Sequence, residues 1–182
     1  MEQKELKELL KSVASGKITV DEAITQFKIK PFEDLGFAKI DYHRSIRQGI
    51  AEVIYGAGKA PEHIVKIAEN MLSNGQKTIL ITRMSKEAAE LAEKELPFAY
   101  YEMGRIGIVG EMPEPDTDTN IVIATGGTSD IPVAEEAALT AEVLGNKVIR
   151  LYDVGVSGIH RLLSHSEEIM NAKAIVAVAG ME

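Results

Sequence analysis

The spacing of apolar residues divides the chain into three segments, and the first, residues 1–37, has helical periodicity. Leucine and valine recur at helical spacing before Gly16, and a second helical stretch follows TVDE at residues 19–22, which matches a capping box. We predict a helical hairpin and then a linker over residues 28–37, where a proline and a glycine interrupt the pattern. Such a short hairpin cannot bury its apolar stripe alone, so we expect it to pack on the rest of the protein or on another copy.

The second segment, residues 38–110, alternates between strand and helix patterns. Apolar runs at residues 38–40 and 51–55 predict strands, as do TILIT and the stretch FAYYEMGRIGIVG, which fits one strand or two. Between them, PEHIVKIAENMLSNG begins with proline and SKEAAELAEKEL begins with Ser85, and both residue types are favoured at helix N-termini. We predict a small α/β subdomain.

The third segment, residues 119–182, is reached through the acidic, proline-containing stretch EMPEPDTDTN. It contains three apolar runs, IVIAT, KVIRLYDVG and AIVAVAG, separated by helical patterns at residues 133–144 and 157–170. Apolar strands that alternate with helices are typical of a parallel sheet covered on both faces, so we predict an α/β fold ending in the first half of a doubly wound, flavodoxin-like sheet. Because no helix follows the last strand, we expect a fragment of a longer protein, or another chain on that edge.

Composition and charge exclude several kinds of protein. Hydrophobic residues make up 45% and charged residues 26% of the chain, which is typical of a globular protein. The chain has no apolar run of the roughly 18 residues that a membrane span requires, and its charged beginning is unlike a signal peptide, so we expect a cytoplasmic protein with no membrane partner. A net charge of -8 argues against nucleic acid as a partner, and the absence of cysteine excludes a thiol nucleophile within these residues.

The turn ATGGTSD follows the first strand of the third segment, where α/β sheets bind ligands. Gly126 and Gly127 allow close approach to the backbone, and Thr128 and Ser129 supply hydroxyl groups. Asp130 can cap the next helix or bind a substrate hydroxyl. The turn matches neither a Walker loop nor the dinucleotide fingerprint, so a phosphate cradle and an ordinary capped turn remain equally open.

A second group of polar residues follows the next strand, and we expect it to lie beside the first turn. It comprises Asp153, Ser157, His160 and Arg161. Asp153 is also compatible with a solvent-facing loop, and His160 with a packed or capping histidine. His160 and His165 are five positions apart, which does not place them on one helical face, so we expect no metal site built from histidines.

Several stretches resemble known families. GGTSDIPVAEEA resembles the phosphate-binding Gly-Ser-x-Ser-Asp turn of the aminoimidazole ribonucleotide carboxylase and mutase family, with Thr128 replacing the first serine. A wider set resembles the LarB family of nickel-pincer cofactor biosynthesis, the pyridinium-3,5-biscarboxylic acid mononucleotide synthases. This set consists of DYHRSIRQGIAEVIYGAGKAPE, TRMS, GTSDIPVAEEAALTAEVLGNKVIRLYDVGVSGIHRL and VAGME. It spans the whole chain, and the purine carboxylases lack the segment at residues 38–60.

The LarB resemblance implies a carboxylation. Such enzymes carboxylate C5 of the pyridinium ring of nicotinic acid adenine dinucleotide, using CO2 or bicarbonate, and cleave the phosphoanhydride to release AMP. A nucleophile must first add to the electron-poor ring, and the family uses a cysteine. We expect that thiol beyond the present residues, so this chain alone should bind poorly and catalyse nothing. The resemblance implies no tightly bound organic cofactor, although hydrolysis suggests a divalent ion such as Mg2+ on the pyrophosphate.

The resemblance also assigns roles to individual residues. Residues 127–130 match the phosphate and ribose turn, and Asp153 with residues 157–161 matches a second active-site loop. An insertion in that loop prevents us from equating His160 with the catalytic histidine of the purine carboxylases. Glu182 closes the AGME motif near the expected ring position. The candidate catalytic residues are therefore Asp130, Asp153 and Glu182.

The sequence is compatible with two roles for a pair of arginines near residue 45. Arg44 and Arg47 can bind the phosphates of the dinucleotide, or equally form salt bridges.

An aminoimidazole ribonucleotide carboxylase or mutase is the alternative enzyme, and a non-catalytic nucleotide-binding or assembly module is the third alternative. The purine carboxylases form octamers, and we expect a homo-oligomer here that is smaller than an octamer or is held together by the N-terminal segment.

Overall fold

The computed structural model describes residues 3–28, 32–42, 44 and 50–180. Within these residues there are seven α-helices and nine strands. The helices are α1 Gln3–Ala14, α2 Val20–Lys28, α3 Pro61–Ser73, α4 Lys86–Glu95, α5 Ile131–Val143, α6 Ile159–Leu163 and α7 Ser166–Met170. The strands are β1 Phe32–Asp34, β2 Lys39–Asp41, β3 Ile54–Tyr55, β4 Thr78–Thr82, β5 Phe98–Tyr101, β6 Ile106–Gly110, β7 Asn120–Thr125, β8 Lys147–Leu151 and β9 Ala174–Val178. No described helix has the length and apolar character that crossing a membrane requires.

The helical hairpin is confirmed, with the capping box at the start of α2. The Thr19 N–H donates to Glu22 Oε2 at 2.7 Å, and the Glu22 N–H donates to Thr19 Oγ1 at 3.1 Å. The backbone hydrogen bond from Thr19 lowers the pKa of Glu22. This reciprocal pair satisfies amides that have no partner within the helix, so α2 begins where the sequence pattern indicates.

The linker predicted over residues 28–37 is wrong in part, because it contains β1. This strand pairs antiparallel with β2, and the chain reverses between them with Gly36 at a φ of 83°. The Gly36 N–H donates to Asp34 Oδ1 at 2.8 Å, which stabilises the turn. A strand of three residues is too short to show a period in the sequence, so the stretch was predicted only as a linker.

The middle of the chain forms the predicted small α/β unit, around a four-stranded sheet in the order β3-β4-β6-β5. Strands β3 and β4 are parallel, and the other pairs are antiparallel. The run that fitted one strand or two forms both β5 and β6. Ser85 caps α4 as predicted, since its Oγ accepts from the Ala88 N–H at 3.2 Å. The apolar run at residues 51–55 forms a strand only at Ile54–Tyr55.

The last part forms the predicted parallel sheet, in the order β8-β7-β9. Helix α5 begins at Ile131, two residues before the expected start, because Pro132 is accommodated in its first turn. The helix expected at 157–170 is divided into α6 and α7. Strand β9 was expected to be buried, yet Ile175 and Val176 on it are 50% and 39% exposed.

Helix α5 lies between the two larger sheets and contacts both. Its alanines Ala134 and Ala138 are buried against Ile123 of the parallel sheet, and Leu139 packs with Leu80 of β4. The alanines on one side of α5 and Leu139 on the other allow the helix to pack between the two sheets. This explains why its apolar residues do not form a single stripe.

Strands β4 and β7, which belong to the two larger sheets, point in the same direction relative to α5. Arg83, just after β4, contacts Glu136 near the start of the helix, whereas Thr78, at the beginning of β4, lines a cavity with Val143 at the helix end. Since α5 itself starts just beyond the end of β7, the carboxyl ends of β4 and β7 lie at the same end of α5. This is the end at which both turns singled out in the sequence are found.

Candidate functional site

The tips of β7 and β8 are joined by three hydrogen bonds through Thr125 and Gly126. Thr125 is 1% exposed, and its Oγ1 accepts from the Asp153 N–H at 2.9 Å. The Thr125 carbonyl accepts from the Val154 N–H at 3.0 Å, and the Gly126 carbonyl accepts from the Gly155 N–H at 3.0 Å. The expected proximity of the two polar turns is therefore confirmed.

The third strand of the parallel sheet meets the same turn. The Gly126 N–H donates to the Val178 carbonyl, the last residue of β9, at 3.0 Å. Gly126 thus bonds to the chain on both sides of β7. The three strand ends form one continuous edge, which places any ligand at this turn within reach of the loops after β7 and β8.

The turn after β7 is closed by Asp130 and open above Gly127. Asp130 Oδ2 accepts from the Gly127 N–H at 2.9 Å, so one carboxylate oxygen is used within the turn. A side chain at Gly127 would meet only Asp130 Oδ2 at 3.8 Å and Ser129 Oγ at 3.9 Å. The fold does not require glycine there for space. The missing side chain instead leaves the backbone accessible, with Thr128 and Ser129 exposed beside it.

The loop after β8 is organised by an ion pair. Asp153 adopts a left-handed conformation with a φ of 59°, and Arg161 Nη1 donates to its carboxylate. A Cβ at Gly158 would lie 2.5 Å from Arg161 Nε, so the absence of a side chain there makes room for the guanidinium group. Ser157 and His160 are exposed on the same loop and helix.

Other candidate residues are not brought to this edge. Arg44 Nη1 lies 3.3 Å from Glu52 Oε1, and the Glu52 carbonyl accepts from Gln76 near the amino end of β4. That position is at the opposite end of the sheet from the strand tips. Arg47 and Glu182 lie outside the described residues.

The described residues contain no group of three or more histidine or carboxylate side chains able to hold a metal ion. His165 Nδ1 is 3.3 Å from Glu168 Oε1, away from the turn after β7. Asp130 and Asp153 are each bonded within their own loops. The side chains described at this edge therefore do not form a ligand set for a divalent ion.

Two features at this end were not anticipated from the sequence. In the sequence, Thr125 is the last residue of an apolar strand pattern, and only its hydroxyl group distinguishes it from the apolar residues before it. The second feature is a cluster on α5 and β8 in which Arg150 Nη2 donates to Glu142 Oε2 at 2.8 Å and Arg150 Nε donates to Glu135 Oε1 at 3.0 Å. The bond to Glu142 raises the pKa of Arg150, and burial raises the pKa of the neighbouring Tyr152. The cluster fixes β8 against α5 beneath the site.

Comparisons with known proteins agree with this architecture. Residues 32–111 match the family model of the LarB/PurE-like N-terminal domain. The chain is 34% identical over 200 aligned residues to the uncharacterized protein MJ0165 of Methanocaldococcus jannaschii, and the alignment covers 98% of the chain and 73% of that relative. The chain therefore belongs to the LarB/PurE-like family, a carboxylase- and mutase-like family.

Proposed function

We propose that the chain binds nicotinic acid adenine dinucleotide along the edge formed by the tips of β7, β8 and β9. Where a thiol nucleophile is supplied, the bound dinucleotide would be carboxylated on its pyridinium ring and hydrolysed at its phosphoanhydride. The observation that carries the proposal is the set of bonds through Thr125 and Gly126, which holds the turn at 126–130 against the loop at 153–161. The turn presents the exposed hydroxyl groups of Thr128 and Ser129, and the loop presents the carboxylate–guanidinium pair of Asp153 and Arg161.

The turn at 127–129 is suited to a phosphate group. Its backbone is accessible above Gly127, and the two exposed hydroxyls of Thr128 and Ser129 stand directly before α5. Backbone amides and hydroxyls at the start of a helix are favourable donors to phosphate oxygens. In this arrangement Asp130 holds the turn through one oxygen, and its second oxygen remains available to a ribose hydroxyl.

The chemistry requires one proton transfer that this edge can serve. After a nucleophile has added to the ring, the resulting enamine carbon attacks CO2, the C5 proton leaves, and the nucleophile is then eliminated to restore the pyridinium ring. Asp153 is our candidate for the base that accepts the proton, with Arg161 holding its carboxylate in place. Water adds to the phosphoanhydride and AMP departs. The 182 residues contain no cysteine, so the chain supplies binding and positioning groups but not the family's thiol.

The test is an amide chemical-shift titration by NMR with nicotinic acid adenine dinucleotide. We expect shifts at residues 126–129 and 153–155, and a loss of affinity in Ser129→Ala. Ser73→Ala, on the exposed side of α3, is the matched control and should bind like the unmodified chain. Absence of these shifts, or shifts confined to other parts of the chain, would contradict the proposal.

A second measurement addresses the missing thiol. With 13C-bicarbonate and the dinucleotide, this chain alone should form no carboxylated mononucleotide by mass spectrometry. Formation of that product would show that the nucleophile lies among the present residues and would overturn the assignment to a cysteine.

An aminoimidazole ribonucleotide carboxylase or mutase is the alternative, favoured by the Thr-Ser-Asp turn at residues 128–130. In that case the purine precursor would shift the amides of residues 126–129 and the pyridine nucleotide would not. A response to neither compound would favour a non-catalytic module. We also propose a homo-oligomer smaller than an octamer, which light scattering tests directly.

A further inference from the structure

A second pair of strand tips, those of β3 and β4, lies at the same end of α5 as the turn after β7. The Gly56 N–H donates to the Thr82 carbonyl at 2.7 Å, which joins the two tips. A Cβ at Gly56 would lie 2.9 Å from the Thr82 carbonyl oxygen and 3.2 Å from Met84 Cα. Both neighbours are backbone atoms that cannot move aside, so a glycine is required for this close approach.

Three cations surround these tips, and we call the group the basic patch: Lys59, Arg83 and Arg105. The Arg83 guanidinium lies 5.8 Å from the centre of the Tyr55 ring. Arg105 is adjacent, because its carbonyl accepts from the Met84 N–H at 2.8 Å. The Lys59 N–H donates to the Gly56 carbonyl at 3.1 Å, which closes the turn that follows β3. The basic patch is thus assembled from three separate loops.

The backbone holds both arginines in an unfavourable conformation. Arg83 and Arg105 have φ values of 51° and 52°, and left-handed residues other than glycine cost free energy that the surrounding structure must offset. The conformation of each is maintained by neighbours: Arg83 lies between the bonds of Thr82 and Met84, and Arg105 accepts from Met84. The backbone positions from which the two side chains extend are therefore set by the fold.

The charges of the basic patch are only partly compensated. Arg83 Nε lies 3.4 Å from Glu136 Oε1, and the nearby Glu102 is already paired with Lys86. Among the described residues, Lys59 and Arg105 have no ion-pair partner. Tyr55 is 52% exposed, which leaves an aromatic ring accessible beside the cations. Cations next to an open aromatic ring suit a phosphate group attached to a planar base.

The basic patch and the turn after β7 are both connected to helix α5. Glu136, which contacts Arg83, is six residues beyond Asp130, or roughly 9 Å along the axis of an α-helix. The turn between β5 and β6 is packed on the same helix, since a Cβ at Gly104 would lie 3.1 Å from the Glu135 carbonyl carbon. Helix α5 therefore links the loops that carry Arg83 and Arg105 to the turn after β7.

We propose that the basic patch binds the adenylate half of the dinucleotide, while the turn after β7 binds the mononucleotide half. This inference rests on the proposed function for the identity of the dinucleotide. The observations beneath it concern only a phosphate group attached to a planar base, with the phosphate on Lys59 and Arg105 and the base beside Tyr55; the purine follows from the dinucleotide. The release of AMP by hydrolysis would then leave each product on its own subsite.

Separate NMR titrations with AMP and with nicotinic acid mononucleotide test the two subsites. We expect AMP to shift the amides of Gly56, Gly58 and Met84, and nicotinic acid mononucleotide to shift those of residues 126–129. AMP shifts confined to residues 126–129, or no AMP shifts at all, would overturn the inference.

Charge removal sharpens the test. In the double variant Lys59→Gln and Arg105→Gln we expect AMP affinity to fall about tenfold, as for the loss of charge-assisted phosphate contacts. The affinity for nicotinic acid mononucleotide should stay unchanged. Lys77→Gln, at the amino end of β4, is the matched control, and thermal unfolding confirms that each variant is folded. Equal AMP affinity in the double variant and the control would refute the assignment.

The two proposals fail differently. AMP on the basic patch without a pyridine nucleotide on the turn would leave the subsite standing and remove the proposed function. A pyridine nucleotide on the turn with no AMP response at the basic patch would retain the proposed function and remove the subsite.

Discussion

The two sets of strand tips at the start of α5 are built by different means. At the parallel sheet, a buried threonine hydroxyl and neutral backbone bonds join the loops, and the exposed turn presents hydroxyls and amides. At the mixed sheet, a glycine forced against the neighbouring backbone joins the loops, and the exposed side chains are cations and a tyrosine. The comparison teaches that one edge of an α/β protein can offer hydroxyls, amides and a paired charge at one point, and cations without an ion-pair partner among the described residues at another.

Replacing one glycine at each set of strand tips should give the largest difference, measured as the change in the free energy of unfolding. Gly56→Ala should lower the free energy of unfolding by about 1–3 kcal/mol, because its Cβ would overlap backbone atoms of the next loop. Gly127→Ala is the matched control and should change it by less than about 0.5 kcal/mol, since its nearest neighbour is 3.8 Å away. Urea denaturation measures both. Equal effects would show that the two tips are not sterically different.

The threonine at the end of β7 should give the next largest effect. Thr125→Val leaves the Asp153 N–H without its buried acceptor, which costs about 1–2 kcal/mol. Thr82→Val, at the end of β4, is the control, because no side-chain hydrogen bond is found for Thr82 within the described residues. Hydrogen exchange should accelerate at residues 153–155 only in Thr125→Val. Unchanged exchange there would mean that the hydroxyl does not hold the loop.

Raising the salt concentration should weaken ligand binding more at the tips of the mixed sheet than at the tips of the parallel sheet. Raising the ionic strength from about 0.01 M to about 0.15 M shortens the screening length from about 30 Å to about 8 Å. We expect AMP affinity to fall several-fold over this range, because its contacts are between opposite charges. The affinity for nicotinic acid mononucleotide should fall less, since the turn offers neutral donors. Equal salt dependence, measured by the same titrations, would remove the distinction.

The smallest predicted effect concerns Glu136. Glu136→Gln removes the carboxylate that raises the pKa of Arg83, so Arg83 becomes more available to a phosphate group. AMP affinity should rise by about twofold, in keeping with the small energies of exposed ion pairs. Glu102→Gln, whose carboxylate pairs with Lys86, serves as the comparison. A fall in AMP affinity would show that Glu136 orients Arg83 for binding.

Much of the fold was predictable because the relevant information is local. The capping residues Thr19 and Ser85 were identified correctly, since a cap depends on neighbours three residues away. The parallel sheet followed from continuous apolar runs alternating with helices. Strand β1 was missed because three residues show no period, and the interruption at 164–165 was missed because helical periodicity continues through it.

The candidate site was predictable only in part. Small residues after an apolar run indicated the turn at 126–130, and the proximity of Asp153 followed from strand order. The role of Thr125 depends on a bond to a residue 28 positions away. The neighbourhood of Arg83 and Glu136, 53 positions apart, depends on how two sheets pack on one helix. Neither leaves a periodic pattern in the sequence.

The sequence by itself determined most of the helices and strands, that the last sheet is parallel, and where small residues expose the backbone. These properties arise from local burial and backbone preference, which repeat every two or three to four residues. The tertiary structure alone decided that the tips of β3 and β4 lie at the same end of α5 as the turn after β7, and that Arg44 lies away from them. It also brought the cations beside Tyr55 to the same end of α5. Those relations depend on the packing of both sheets against α5, whose contacts join residues far apart in the chain.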